Sequence, residues 1–223
     1  AGLKARPQFV RRPELDRDDV SLLVAYDGHC YRFSGAGYDF LSTLNLPALV
    51  ADAELESAGE RLEDPVYLVC TNGQRDLCCA RFGLPVYNEL KAVVGERVWQ
   101  VTHLGGHRFA PNVLTLGDGC VYGRVTPEAL GEFLADTEAG RVAFPFLRGR
   151  SRYSKLVQAA EAALARQNLR LLHVDADDDG GAVQFADAEE RLSVTLKRSS
   201  QALRVQKSCG DPEADVYPYL PVP

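Results

Sequence analysis

The chain has 223 residues, 46% of them hydrophobic and 25% charged. That is an ordinary globular balance, with enough apolar surface to close a core in one large domain or two small ones. A formal charge of −6 argues against a general nucleic-acid binder, which needs a basic face for phosphate contacts.

No apolar run reaches the ~18 residues of a spanning helix, and no signal-peptide pattern opens the sequence. The expectation is a soluble cytoplasmic protein with no membrane or nucleic-acid partner. QFV and VSLLVAY are strand-like, and after the turn Asp27–Gly28 the stretch HCYRF alternates as a returning hairpin strand would. YDFLSTLNLPAL reads as a short helix or loop, and ADAELESAGERLEDP as a solvated linker or surface helix. PVYLVC, residues 65–70, is a short apolar run rich in β-formers, as a buried strand should be. After the turn TNG, Pro85 is expected to open a helix through VYNELKAVVG, with Gly95 as its stop. RVWQVTHL is a second buried strand, and PNVLTL and CVYGRV flank a hairpin turn at Gly117–Asp118–Gly119. Thr126 caps, and Pro127 begins, a helix that runs on to Gly140.

The last third opens with the basic run LRGRSRYSK, which is ordinarily a solvated face. SKLVQAAEAALARQ has helical spacing, and LRLLHV, GAVQF, RLSVTLKR and ALRVQ are strand-like pieces split by the acidic turn DADDDGG. The tail KSCGDPEADVYPYLPVP reads as a proline-rich loop. Three regions are therefore expected: an N-terminal β-rich segment (1–60) carrying a β hairpin, an α/β core (61–145), and a C-terminal α+β module with tail (146–223).

The core order is strand–helix–strand, hairpin, helix. Strands joined through a helix should pair in parallel. The order resembles the minimal thioredoxin-type core, βαβ-ββα. Pro111 precedes the third strand, where thioredoxin-like proteins commonly place a cis proline.

Only six cysteines and four histidines occur in the chain. Five of them sit in CTNGQRDLCC (70–79) and HLGGH (103–107). Cys70 ends the first parallel strand and His103 the second, and in open α/β sheets such ends meet at one edge. Cys79 and His107 lie in the loops that leave those strands. Thiolate plus imidazole suits zinc or iron–sulfur chemistry. HLGGH is no protease helix: it lacks a glutamate, and each glycine would cost a helix roughly 1 kcal/mol. A glycine loop wrapped closely around a ligand is the better reading. Cys30 and Cys120, on hairpin strands, are ordinary buried cysteines. His29 and His173 are ordinary too, and Cys209 has no identifiable partner.

VCTNGQRDLCCARFG, WQVTHLGGHRFAPNVLTL and DGCVYGRV, and more weakly RGRSRYSKLVQAAEAAL and the late SCG, resemble the sucrase/ferredoxin-like family. The likeness is good over about residues 65–165 and loose elsewhere. It implies a thioredoxin-like ferredoxin core holding a [2Fe–2S] cluster through Cys70, Cys79, His103 and His107, with Cys78 a neighbour. It also implies an N-terminal stretch inside which this chain begins. No carboxylate pair around a sugar site supports the "sucrase" half of the name.

Two imidazoles in place of thiolates raise a cluster's potential, and the proton on each free ring nitrogen couples electron to proton transfer. The leading expectation is a one-electron carrier or redox sensor served by a separate redox partner protein. Arg75, Arg108 and Arg124 are candidates for favouring the reduced, more negative cluster or for docking an acidic partner, beside the reading as ordinary surface arginines. The rivals are a zinc-stabilised binding module using the same four residues and a thioredoxin-like thiol oxidoreductase, against which no CxxC occurs.

Overall fold

The computed structural model describes residues 5–15 and 19–222. A short β1 (Val10–Arg11) precedes the hairpin β2 (Asp19–Tyr26) and β3 (His29–Ala36), then helices α1 (Leu46–Ala51) and α2 (Leu55–Ala58) and strand β4 (Glu60–Leu62). The middle comprises β5 (Tyr67–Cys70), α3 (Leu77–Val94), β6 (Val98–Val101), β7 (Asn112–Thr115), β8 (Cys120–Gly123) and α4 (Leu130–Thr137). Then come β9 (Leu147–Arg150), α5 (Lys155–Leu164), β10 (Arg170–Ala176), β11 (Gly180–Ala186), β12 (Arg191–Arg198), β13 (Leu203–Gln206), β14 (Glu213–Val216) and β15 (Tyr219–Pro221).

The central sheet runs β1-β6-β5-β7-β8-β9. β5 and β6, joined through α3, pair in parallel, and every other pair in this sheet is antiparallel. The mixed α/β class follows. β1 and β9 bring both the N-terminal region and the start of the basic run into this sheet. The Ala110–Pro111 peptide bond is cis.

Side chains alternate across β5 as the pleat requires. Tyr67 and Val69 point into a core built with Val86, Leu90, Val98, Tyr122 and Phe133. Leu68 and Cys70 face the other way, with Cys79, Trp99, Val101 and Leu104. That alternation sends the Cys70 sulfur toward the start of α3 and the end of β6. Two smaller units flank the sheet. The β2-β3-β4 sheet packs Tyr31 and Phe33 on Leu55, and the β10-β11-β12-β15 sheet packs Val183, Phe185 and Leu196 on α5.

Three details depart from the sequence reading. α3 starts at Leu77, so Pro85 lies inside the helix rather than at its head. Pro85 sits on the exposed face, where the Arg81 carbonyl that it leaves without a donor is on the hydrated side. The tail is not a loop: β15 pairs with β12, and β13 and β14 form a two-stranded arm with residues 207–212 at its tip. The basic run is not uniformly solvated. Arg150 is buried, its Nε donating to Glu161 Oε1 at 2.6 Å.

Candidate metal centre

α3 is held close to β5 by a missing side chain. A Cβ at Gly83 would lie 2.2 Å from the Cys70 carbonyl oxygen, so only glycine lets the helix pass the strand end at this distance. The helix N-terminus thereby arrives beside Cys70, with Cys78 and Cys79 in its first turn. The partial positive charge there favours anionic groups.

Cys70, Cys79 and His103 converge, with their ligand atoms all within 4.8 Å of one another. Cys79 Sγ is 3.6 Å from His103 Nδ1. A tetrahedral metal separates a bound sulfur from a bound nitrogen by about 3.5 Å, so the spacing fits. A hydrogen bond from Cys79 pulls the Cys70 thiol down to about 6 against the effect of burial, helped by the Leu104 and Asn72 backbone and by His103. The proton of the pair stays on Cys79, whose own thiol is pushed up by its bond to Cys70. Cys70 is thus biased toward the thiolate that metal ligation requires.

His107 is the exception among the four sequence candidates. The structure places it with Cys78 and Cys209 in a second group of three. Its Nδ1 lies 3.2 Å from Cys78 Sγ and 3.4 Å from Cys209 Sγ, and the two sulfurs are 3.1 Å apart. The His107 ring is buried, and Nε2 has no hydrogen-bond partner among the described residues. That orphaned nitrogen is available to a metal, while Nδ1 faces two sulfurs where metal-bound histidines ordinarily face a carboxylate, carbonyl or water. Cys78 is pushed up to about 11, by burial first and then by Cys209. It is a thiol at neutral pH.

Asp76 links the two groups. Although it precedes α3, its carboxylate makes no capping bond to the helix. Oδ1 instead accepts from Ser208 Oγ at 2.6 Å and from the Cys209 N–H at 2.7 Å, and Oδ2 lies 3.5 Å from His103 Nε2. Burial alone would raise this carboxyl. The bonds from Ser208 and Cys209, with both histidines nearby, hold it below the ordinary carboxylate range.

The HLGGH loop is not helical: Gly105 and Gly106 have φ of +85° and +66°, a backbone that glycine adopts without strain. Arg148 Nη1 donates to the Gly105 carbonyl at 3.0 Å and to Asn112 Oδ1 at 2.9 Å, and Asn112 Nδ2 donates to the Gly106 carbonyl at 3.3 Å. Burial lowers the Arg148 guanidinium to about 10, and Cys70 and Cys79 lie close enough to oppose that shift. Arg108, Arg124 and Arg148 surround the Phe109 ring at 4.5, 5.7 and 4.8 Å. Arg75, Arg108 and Arg124 are exposed. Cys30 and Cys120 are buried in their strands, and His29 and His173 are exposed.

Sequence reasoning missed Asp76, Gly83, the inward contacts of Arg148 and the partners of Cys209. The SCG fragment in the family resemblance was the one pointer to the last of these.

A family model described as sucrase/ferredoxin-like matches residues 7–149. The chain is also similar to "Altered inheritance of mitochondria protein 32" of Meyerozyma guilliermondii, at 30% identity over 89 residues, 35% of this chain and 32% of that protein. The match thus spans about a third of that relative's length. No solved structure matches the chain. Among the described residues no helix is long and apolar enough to cross a membrane.

Proposed function

The chain belongs to the sucrase/ferredoxin-like family, and from that premise we propose that it is a [2Fe–2S] electron carrier or redox sensor. The cluster ligands are Cys70, Cys79, His103 and His107, set on a thioredoxin-like core. The observation that carries the proposal is the convergence of Cys70, Cys79 and His103 at the ends of the parallel pair. The orphaned Nε2 of the buried His107 supports the fourth ligand. The sheet order β6-β5-β7-β8, with its one parallel pair and a helix after the hairpin, supports the thioredoxin-like description.

Bound there, the cluster supplies one-electron chemistry at a potential raised by imidazole ligation. The protein's own residues do the rest. The Cys70 thiolate is held ready by Cys79 and by backbone N–H groups. Asp76 orients His103 and can hold the proton at Nε2 when Nδ1 is the ligating atom. At His107 the roles would reverse, with Nε2 left to ligate and Nδ1 able to keep its proton against the Cys78 and Cys209 sulfurs. Each ring nitrogen not used for ligation would then carry a proton, and a cluster held there would couple electron transfer to its loss. The potential should fall as pH rises above the histidine pKa of the oxidised state, by about 59 mV per pH unit where one proton follows one electron. A flat profile between pH 5 and about 10 would count against coupling.

The exposed Arg108 and Arg124 beside Phe109 offer a cationic surface to an acidic redox partner in a reducing, cytoplasmic setting. Absorption and iron analysis of anaerobically purified protein test the proposal. A red-brown chain with two irons supports it; a colourless chain carrying zinc would replace it with the structural-module reading.

A further inference from the structure

We infer that Cys78 and Cys209 form a reversible disulfide that clamps the C-terminal hairpin arm onto the start of α3. The two residues are 131 positions apart in sequence, yet their Sγ atoms are 3.1 Å apart. The approach is built in. Asp76, only 2% exposed and two residues before Cys78, accepts from both Ser208 Oγ and the Cys209 N–H. The tip of the β13–β14 arm is thereby held by two charge-assisted hydrogen bonds directly beside the sulfur that it faces.

Accessibility sets the order of events. Cys209 is exposed and Cys78 half-buried, so a soluble low-molecular-weight disulfide such as oxidised glutathione meets Cys209 first. Cys209 Sγ attacks that disulfide, forming a mixed disulfide and releasing one reduced glutathione. Cys78 Sγ then attacks the Cys209 sulfur of the mixed disulfide and releases the second glutathione. Two protein thiols lose two electrons and two protons, and one oxidised glutathione becomes two reduced ones. Cys30 and Cys120 do not compete, being buried within their sheets. The four proposed cluster ligands are untouched, while Ser208 and Cys209 become pinned over the carboxylate that faces His103.

The inference shares with the preceding reading the premise that Cys78 is not a cluster ligand, and it joins the two sulfurs that the same reading sets against His107 Nδ1. The experiment uses the full chain with its native metal content, equilibrated anaerobically in glutathione buffers from reduced to oxidised. Free thiols are then blocked, and peptide mass mapping is run beside the absorption spectrum. The expected result is a single cross-linked peptide pair joining Cys78 to Cys209, two mass units lighter than its thiols, with the spectrum unchanged. Cys209→Ser should abolish the link. A cross-link in a protein that proves free of iron would uphold the disulfide while sinking the cluster. Three results would overturn the inference: oxidation that stops at a glutathione adduct on Cys209, pairing of Cys209 with another cysteine, or a link that appears only as metal is lost.

Discussion

The two cysteine–histidine groups lie side by side yet are made differently. Cys70, Cys79 and His103 come from one βαβ unit and are mostly buried, with Cys70 already biased toward thiolate. Cys78, His107 and Cys209 need the C-terminal arm to come together, reach the surface at Cys209, and keep Cys78 as a thiol. Neighbouring cysteines on one helix turn thus have opposite fates. Cys79 turns inward to the strand end, and Cys78 turns outward to the arm. Position within a helix turn, more than cysteine identity, divides the proposed ligand from the proposed switch.

The sharpest way to break this contrast is to exchange the two cysteines' roles by mutation. Cys79→Ser should remove essentially all cluster absorption and iron, whereas Cys78→Ser should keep both; the opposite outcome would shift the ligand assignment by one residue. Next in size is Asp76→Ala, which cuts a side chain that touches both groups. Loss of such an outer partner costs about 10–100-fold in metal affinity, measurable as faster iron loss to a chelator. The same variant should free the arm and slow Cys78–Cys209 cross-linking.

Gly83→Ala tests whether the first group depends on close helix–strand approach. The Cβ would overlap the Cys70 carbonyl, and overpacking of this kind costs about 1–3 kcal/mol, read as a lower denaturation midpoint. The smallest effect concerns charge. Arg148→Gln removes a cation near Cys70 and Cys79 and should lower the potential by about 40 mV, equivalent to about 1 kcal/mol for one electron. Arg148→Lys should keep most of that potential while losing part of the HLGGH loop's support.

The contrast also explains what could be read from the amino acids alone. The parallel pair was legible because PVYLVC and RVWQVTHL are short apolar runs with a helix between them. Local patterning of that kind brings Cys70, Cys79 and His103 to one edge without help from distant chain. The start of α3 was misjudged because a proline is a strong helix-opening signal and its tolerance on an exposed face depends on which way the helix is turned. Arg148 and Arg150 looked alike in a basic run. Only tertiary packing sends one to the HLGGH loop and the other to Glu161. Cys209 was opaque for the same reason: nothing local to KSCGDP announces a hairpin tip that reaches Asp76 across the molecule. His107 stood out in the sequence through the HLGGH spacing, but its sulfur neighbours became visible only in three dimensions.

The central claim is that His107 serves the cluster through the nitrogen that faces away from Cys78 and Cys209. Electron spin-echo spectroscopy of the reduced chain counts directly bound nitrogens. The account expects two distinct strongly coupled nitrogens, falling to one in His107→Ala. A single coupled nitrogen in the unmodified chain would contradict it, because a sulfur from the second group would then occupy the place given to His107.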